Sequence, residues 1–228
     1  PVPETLDMET SAAMHVTKVP VIDGDFGDWP AATIQKPAIV MSSEYEVVFE
    51  RRDADRADLE FAATIAVVYD DTFIYLAANV TDPVVAPADR GKKESPWTGT
   101  ALEVFMDVRP VDVLPARATD KYVQQLFLVP GIDGRAAYVV TSAGKEVGAK
   151  VASRRTKAGY RLEAALPWSL FPVKHAHRLP WIGFDIGIDA RPASGDRDIQ
   201  IMWRGDGSNW HDPGVFGVLQ LSGEDSSK

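Results

Sequence analysis

Apolar and polar residues alternate in short runs along most of the chain. Alternation with a period of two is the pattern of a strand that buries one face, and turn-forming glycine, proline and aspartate recur between the runs. The pattern predicts strands at Val19–Ile22, Ala38–Met41, Phe61–Tyr69, Thr72–Val80, Ala101–Val108, Tyr122–Val129, Arg135–Thr141, Lys150–Arg155, Tyr160–Pro167, Ile182–Asp189, Ile199–Trp203 and Gly214–Leu221.

Three local features refine this picture. Asp70-Asp71 separates two of the predicted strands and predicts a tight hairpin turn. Pro167–Phe171 predicts one helical turn, with Trp168 packed inward. Residues 42–60 are charged and irregular, which predicts an excursion from the sheet.

Many short strands separated by turn residues favour an all-β fold, an antiparallel β-sandwich of the jelly-roll or immunoglobulin-like kind. The 228 residues suffice for one large sandwich, and 45% of them are hydrophobic, enough for a substantial core. The sequence has no internal repeat and no mid-chain linker, so we expect a single domain over residues 17–222. Residues 1–16 are interpreted as a leader or linker, and residues 223–228 as a polar tail.

Charge and cysteine content exclude several function classes. The formal net charge of -9 argues against a nucleic-acid partner, because phosphate binding needs a basic patch. The absence of cysteine excludes disulfides, thiolate zinc sites and thiol nucleophiles. No apolar run in the sequence is long enough for a membrane span.

The six tryptophans differ in their surroundings. Trp168 and Trp203 end apolar runs, which predicts core positions for both. Trp29 follows a turn rich in glycine and aspartate, and we expect it to plug one end of the sandwich. Trp181 directly precedes a predicted strand, and its role stays open.

Trp97 and Trp210 lie in polar loops that contain glycine. Loop composition alone leaves two interpretations open, a plug folded back on the core or a platform for a ligand. The platform has a physical basis, because the apolar C–H face of a pyranose matches an indole face and its hydroxyls match carboxylates and amides. Burying on the order of 100 Å² per ring would contribute roughly 2–3 kcal/mol.

Glu103 and Asp107 are the two acidic residues of a largely apolar predicted strand. Alternation places Glu103 and Phe105 on one face and Leu102 on the other. An acid among apolar neighbours needs a partner, so Glu103 is either half of a cross-strand pair or an acceptor for ligand hydroxyls. The next strand offers Gln124 or Gln125 as a second polar group, and only one of them can point to the same face.

Acidic turns supply the hard oxygen ligands that calcium prefers. No spacing matches an EF-hand loop, and acidic turns are most often only turns, so both interpretations stay open. The candidate ligands are Asp23, Asp25 and Asp28, and later in the chain Asp185, Asp189, Asp196 and Asp198.

A series of motifs occurs in a characteristic order from about Val19 to Leu221. In chain order they are Pro20–Gly24, Asp28-Trp29, Val68–Leu76, Pro96-Trp97, Leu102–Asp107, Gly159–Trp168, Ile182–Asp189, Met202-Trp203, Asn209–Pro213 and Phe216–Leu219. This order resembles a family 9 carbohydrate-binding module, within the DOMON-like β-sandwich superfamily.

The resemblance implies a β-sandwich in which two tryptophans form a slot for a sugar, typically at a reducing end. The matching positions here are Trp97 and Trp210. The family's glutamate matches Glu103, which would accept sugar hydroxyls, and Asn209 beside Trp210 joins the candidate ligand-binding residues. The resemblance also implies structural calcium and attachment to secreted polysaccharide-degrading enzymes.

The sequence also departs from the family's pattern. The acid commonly found between the first tryptophan and the glutamate is Thr100 here. The family's glutamine-and-arginine strand corresponds to Gln124-Gln125-Leu-Phe-Leu, which contains no arginine donor. Residues 42–60 look like an added segment that could cover or extend the slot.

Other functions remain open at this point. A haem-binding relative would pair a methionine with a histidine or lysine, and a glycoside hydrolase would place two carboxylates across a cleft. A sandwich that only mediates protein contacts is a further alternative. His175-Ala-His177 could present two imidazoles, but no third metal ligand is evident. The residues available to a haem are Met106, Met202, His175 and His211.

We therefore expect a non-catalytic module that binds a mono-, oligo- or polysaccharide and serves polysaccharide breakdown or uptake. We expect structural calcium at Asp23, Asp25 and Asp28, and no organic cofactor. A fused catalytic domain that hydrolyses O-glycosyl bonds is an expected partner. The expected location is secreted, periplasmic or on the cell surface.

Overall fold

The structure is a computed structural model that describes residues 10–43, 46–50, 60–93, 95–110, 118–190, 197 and 199–222. Strands dominate this part of the chain. They are β1 (Thr10–His15), β2 (Ile39–Ser42), β3 (Val47–Glu50), β4 (Ala62–Tyr69), β5 (Phe73–Thr81), β6 (Ala101–Asp107), β7 (Val123–Val129), β8 (Tyr138–Thr141), β9 (Lys150–Arg155), β10 (Gly159–Pro167), β11 (Trp181–Ala190), β12 (Ile199–Met202) and β13 (Gly217–Ser222).

Short helical segments connect some of these strands. The helix α1 spans Ala31–Gln35, and five 3-10 turns occupy Arg90–Lys92, Pro96–Thr98, Trp168–Leu170, Ala176–Arg178 and Pro213–Val215. None of the helices that the structure describes has the length and apolar composition needed to cross a membrane.

The strands form one hydrogen-bonded path in the order β8-β7-β6-β11-β13-β1-β4-β5-β10-β9. Most neighbours are antiparallel, but β1 runs parallel to both β13 and β4. The long strand β11 pairs with β13 through Trp181–Phe184 and with β12 through Gly187–Ala190. In addition, β2 pairs with β4 and β3 pairs with β12.

The path folds into two layers around one hydrophobic core. The first layer holds β9, β10, β5, β4 and β2, and the second holds β8, β7, β6, β11, β13 and β12. Strand β1 links the two layers, because it pairs with β4 on one edge and with β13 on the other. Ile65 and Leu76 of the first layer belong to the same buried cluster as Val104 and Ile186 of the second. Inward side chains from both layers therefore share one core, and the all-β sandwich prediction is confirmed.

Several local predictions agree with the structure. The strands β4 and β5 are joined by a turn in which Asp70 accepts hydrogen bonds from the backbone N–H groups of Thr72 and Phe73, each at 2.7 Å. The predicted helical turn is the 3-10 turn that begins at Trp168. Trp168 and Trp203 are each 5% exposed, so both are core residues.

Three other assignments need correction. Val19–Ile22 is not a strand, and Val21 there is 63% exposed. Thr10–His15, within the segment interpreted as a leader, is instead strand β1, because β13 and β4 pair with its two edges. Within residues 42–60, Val47–Glu50 forms a strand on β12. Residues 1–9, 51–59 and 223–228 lie outside the described residues.

Trp29 covers a face of the first layer and does not plug an end of the sandwich. It packs with Ala66, Val68 and Tyr75, which alternate with the core-facing residues of β4 and β5. Its Nε1–H donates to Glu163 Oε1 at 2.5 Å. Glu163 also accepts from the backbone N–H groups at positions 23 and 24, so one buried carboxylate holds this turn against the sheet.

Candidate functional site

A cleft of about 420 Å³ opens on the outer face of the second layer. Its floor consists of side chains that alternate with core residues, as Glu103 and Phe105 alternate with Leu102 and Val104 on β6. The cleft is lined by Trp97, Glu103, Phe105, Gln125, Phe127, Ser142, Arg197, Gln200, Gly207, Asn209 and Trp210.

Two glutamine side chains hold the Glu103 carboxylate from neighbouring strands. Gln125 Nε2 on β7 donates to Oε1 at 2.5 Å, and Gln200 Nε2 on β12 donates to Oε2 at 2.6 Å. Glu103 is only 3% exposed, so these donors replace the water that burial removes. A carboxylate offers about four acceptor positions, more than the two that the glutamines occupy.

Asp189 and Arg197 complete the charge balance around Glu103. Burial, followed by the neighbouring Glu103 carboxylate, raises the pKa of Asp189 well above its ordinary value. This shift favours the protonated form of Asp189, which can donate a hydrogen bond to Glu103. Arg197 NH1 lies 2.9 Å from Asp189 Oδ1 and 3.8 Å from Glu103 Oε2, so one guanidinium faces the single negative charge of the pair.

Trp97 forms one wall of the cleft. It lies in the 3-10 turn Pro96–Thr98, and Thr98 Oγ1 closes that turn on the Ser95 carbonyl at 2.7 Å. Its ring is partly buried and lies 6.1 Å from the ring of Phe127 on β7, at an interplanar angle of 50°. Trp97 is thus packed on one side and borders the cleft on another, a combination of the two interpretations left open by the sequence.

Trp210 lies on the loop that follows β12 and is 63% exposed. Its ring stacks on His211, with the ring centroids 4.3 Å apart and an interplanar angle of 18°. Trp210 belongs to none of the hydrophobic clusters among the described residues. It is an exposed aromatic side chain at the cleft, as a platform requires.

Asn209 precedes Trp210 and lines the cleft, but it is only 2% exposed. Its Nδ2 donates to the buried Asp185 Oδ2 at 2.6 Å. One amide N–H of Asn209 is therefore engaged inside the protein, where it holds the loop to β11.

The structure distinguishes between the two adjacent glutamines. Gln125 is opposite Phe105 and bonds Glu103, whereas Gln124 is opposite Met106, whose side chain is in the core between the layers. Gln124 is therefore on the other face of β7, and its assignment to the ligand site was wrong. Alternation required that one of the two be excluded, but the choice depended on how β7 pairs with β6.

Thr100 is buried outside the cleft lining. Its Oγ1 donates to Asp82 Oδ2 at 2.9 Å and accepts from the Ala86 N–H at 2.8 Å. The residue that replaces the family's acid therefore holds the Trp97 loop to the segment after β5. It is a structural residue here.

Three residues of the cleft lining were not predicted from the sequence, namely Gln200, Arg197 and Phe127. Phe127 could have been found, because it alternates with Gln125 on the same strand face. Gln200 is 97 positions from Glu103, and only the pairing of β12 with β11 brings them together. Arg197 supplies the guanidinium that the β7 sequence lacks, from a loop that carries no sequence signal.

Asp23, Asp25 and Asp28 do not form a calcium-binding arrangement. Asp23 and Asp25 lie 3.6 and 3.3 Å from the guanidinium of Arg154, and Asp28 accepts from the backbone N–H of Val21 at 2.7 Å. Across the described part of the chain, no group of three histidine or acidic residues is arranged to hold a metal. These three aspartates thus do not fit the implied calcium ion.

Two of the four acidic candidates later in the chain, Asp185 and Asp189, are among the described residues. Asp185 and Asp189 are fully buried on strand β11 and not in a turn, and both face protein donors. Asp196 and Asp198 lie outside the described residues. Calcium itself stays a prediction, without ligands assigned to it.

Among the described residues, the candidate haem ligands do not form a pair of axial ligands. Met106 faces the core between the layers, while Met202 is buried on the opposite face beside Phe105. His211 stacks on Trp210, and His175 begins a 3-10 turn at the surface. No arrangement of these side chains brackets a planar cofactor.

The hydrolase and zinc alternatives are likewise not favoured. Glu103 and Asp189 meet in hydrogen-bonding contact, whereas two catalytic carboxyls must stand about 5 Å or more apart to flank a glycosidic bond. His175 directly precedes the 3-10 turn Ala176–Arg178 and His177 lies within it, so neither is on a strand, and their ring centroids are 5.6 Å apart.

A sequence model of the family described as "Carbohydrate family 9 binding domain-like" matches residues 42–224. Two solved structures of a family 9 carbohydrate-binding module from Caldicellulosiruptor kristjanssonii, one in complex with cellotriose and one with glucose, are similar in fold. Each has a TM-score of 0.68 and 19% identity and covers 96% of this chain. This chain covers 96% of the first structure and 99% of the second.

Curated relatives are polysaccharide-degrading enzymes. Endo-1,4-beta-xylanase A of Thermotoga maritima is 26% identical over 206 residues, which are 89% of this chain and 17% of that protein. Endo-1,4-beta-xylanase C of Paenibacillus barcinonensis is 25% identical over 217 residues, 94% of this chain and 17% of that protein. The chain thus spans less than a fifth of the length of these curated relatives.

Proposed function

The chain belongs to the carbohydrate family 9 binding domain-like family, and from this premise we propose that the cleft lined by Trp97 and Trp210 binds the end of a sugar chain. The family is one of carbohydrate-binding domains, and the enzymes that resemble this chain match it over a small part of their length. The function is recognition of a carbohydrate, without conversion of it.

The observation that carries this proposal is the position of Glu103. A buried carboxylate, held by Gln125 and Gln200, lies on the floor of a cleft whose lining also includes two tryptophans. A carboxylate accepts hydroxyl hydrogen bonds that contribute about 1.5–3 kcal/mol each. Indole faces bury the C–H faces of the same ring, so the cleft offers both kinds of contact that a pyranose needs.

The sugar class follows from the size and polarity of the cleft. A volume of about 420 Å³ accommodates one or two pyranose rings and not a long segment of chain. The similar solved structures hold glucose and cellotriose, and the curated relatives include xylanases. We therefore place β-1,4-linked glucose or xylose oligosaccharides, bound at one end, first among the ligands.

The proposal extends to the context of the chain. A module of this kind raises the local concentration of an attached catalytic domain on an insoluble polymer. Xylanases act on polymers too large to enter a cell, so a role beside such an enzyme places the module in a secreted, periplasmic or cell-surface protein. The relatives' multi-domain length is consistent with a fused partner.

Titration calorimetry and tryptophan fluorescence test the binding. Glucose, xylose, cellotriose and xylotriose are the probes, and we expect dissociation constants between micromolar and millimolar for at least one of them. Borohydride-reduced cellotriose tests the recognition of a reducing end, since it keeps two rings and loses the third. Absence of both heat and fluorescence change with all four sugars would reject the proposal.

A matched pair of variants locates the site. Trp210→Ala removes the exposed cleft tryptophan and is expected to abolish binding. Trp181→Phe is the control, because Trp181 is partly buried at the start of β11 and outside the cleft lining. Equal loss of binding in both variants would mean that the site lies elsewhere.

A further inference from the structure

Trp210 is held at the cleft by its loop and not by packing of its ring. The ring is 63% exposed and contacts His211, its neighbour on the same loop. Inside the loop, Asp206 accepts from the N–H and hydroxyl of Ser208 at 3.1 and 2.6 Å. These contacts shape the loop locally but do not attach it to the sandwich.

The attachment is made by Asp185 on β11. Its Oδ1 accepts from the Arg204 N–H at 3.1 Å, and its Oδ2 accepts from the Gly205 N–H at 2.7 Å and from Asn209 Nδ2 at 2.6 Å. A fourth donor, the Ile186 N–H, lies 2.8 Å from Oδ1. One carboxylate thus binds both the start of the loop and the residue directly before Trp210.

The loop backbone at Gly205 packs tightly against the side chain of Asn209. A Cβ added at Gly205 would lie 1.8 Å from Asn209 Oδ1, so the loop backbone crosses directly over the Asn209 amide. Asp185 and Asn209 are 0% and 2% exposed, so no water competes for these hydrogen bonds. Asp185 also lies opposite Phe105, a floor residue of the cleft, which fixes the loop relative to that floor.

We propose that Asp185, which does not line the cleft, is a positioning residue that sets the place of Trp210 and thereby the sugar affinity. The inference rests on the proposed function, because the affinity is that of the sugar cleft. Asn209 acts with Asp185 as the second half of the anchor. Four N–H donors from the loop and from β11 converge on this one buried carboxyl group, which suits an anchor for an exposed loop.

Asp185→Asn is the direct test. An asparagine has nearly the same shape as an aspartate, but an NH₂ group replaces one of the two oxygens. Both oxygens of Asp185 accept from N–H donors, so the NH₂ group faces a donor in either orientation of the amide. We expect an affinity for glucose or cellotriose at least tenfold weaker than that of the unchanged protein. Glu163→Gln is the matched control, since Glu163 is equally buried, holds three donors and lies in the other layer, away from the cleft.

A spectroscopic readout separates positioning from general destabilisation. Protein labelled with 5-fluorotryptophan has six ¹⁹F resonances, and Trp210→Phe assigns the one from Trp210. In Asp185→Asn we expect that resonance to shift or broaden while those of Trp168 and Trp203 stay in place. In Glu163→Gln the Trp210 resonance and the affinity should both stay unchanged.

Two further variants keep the test decisive. Asp185→Asn combined with Asn209→Asp restores a carboxylate–amide pair and is expected to recover part of the affinity. If Asp185→Asn does not fold, Gly205→Ala replaces that variant in both measurements. The added Cβ displaces the Asn209 side chain, and Gly205 itself does not line the cleft.

Each outcome bears on one proposal. An unmoved Trp210 resonance in Asp185→Asn, or equal affinity loss in Glu163→Gln, overturns the positioning role. If the unchanged protein binds none of the sugars, the proposed function fails, while the Trp210 resonance still decides whether Asp185 positions the loop.

Discussion

The side chains of Glu103 and Asp189 point to the same face of two neighbouring strands, and both carboxyl groups are shielded from solvent. Glu103 on β6 is opposite Gly187, two residues before Asp189 on β11. The exposed fractions are 3% and 0%. Two buried carboxyls in contact cannot both be ionised at low cost, so protonation of one of them is favoured. The pKa of Asp189 is raised well above its ordinary value, which favours Asp189 as the neutral acid and Glu103 as the carboxylate at the cleft.

This arrangement predicts that the protein is more stable in mild acid than at neutral pH. Burial, followed by the neighbouring Glu103 carboxylate, raises the pKa of Asp189 well above its ordinary value. Its contribution to stability is fully present below about pH 4 and is lost as the pH rises through the folded-state pKa. This group lowers the free energy of unfolding by at most about 1.4 kcal/mol per pH unit in that window.

Denaturant titrations at about pH 5, 6 and 7 measure this slope. Burial lowers the pKa of His177, which works in the opposite direction, so the comparison must be made between variants. Asp189→Asn copies the neutral acid, and its unfolding free energy should fall less steeply with pH. A slope equal to that of the unchanged protein would contradict a protonated Asp189.

Replacing Glu103 by glutamine should separate binding from stability. Glu103→Gln removes the charged acceptor on the cleft floor, so the sugar affinity should fall at least about tenfold, the equivalent of one charge-assisted hydrogen bond. Stability should change less than the affinity, because Asp189 can ionise beside Arg197 and a neighbouring glutamine can turn its amide oxygen towards the new NH₂ group. Calorimetry and denaturant unfolding of the same sample provide both numbers, and unchanged affinity would exclude Glu103 as a sugar ligand.

The adjacent glutamines offer a matched comparison. Gln125→Ala removes the 2.5 Å hydrogen bond to Glu103 and opens the cleft floor, so it should weaken sugar binding about tenfold or more. Gln124→Ala changes the other face of the same strand and should leave the affinity unchanged. Calorimetry with glucose or cellotriose is the measurement. A larger effect at Gln124 would mean that the pairing of β7 with β6 differs from that described.

The part of the site that sequence could predict is the part that depends on local alternation. The pattern of β6 places Glu103 on the face opposite Leu102, and that placement is correct. It could not choose between Gln124 and Gln125, because the choice depends on the register of β7 against β6. Register is a property of two strands and is not written in either one alone.

Long-range pairing explains most of the rest. The strand β1 contains small and polar residues, and its edges are paired with β13 and β4, far away along the chain. Only Ala13 in it is fully buried, so no local hydrophobic pattern identifies it. The loop tryptophans were recognisable by composition, but which contacts each makes depends on Phe127 in one case and on Asp185 in the other.

The two cleft tryptophans should differ in their effect on stability, although we expect both to contribute to sugar binding. Trp97 is partly buried against Phe127, so Trp97→Ala removes packed apolar surface and should lower the free energy of unfolding by about 1–3 kcal/mol. Trp210 is 63% exposed and packs on His211, so Trp210→Ala should change it by less than about 0.5 kcal/mol. Thermal or denaturant unfolding measures the difference, and calorimetry should show sugar binding lost in both. Equal destabilisation by Trp97→Ala and Trp210→Ala would show that the Trp210 ring packs on the sandwich. Retained sugar binding in Trp97→Ala would mean that Trp97 borders the cleft but does not contact the sugar.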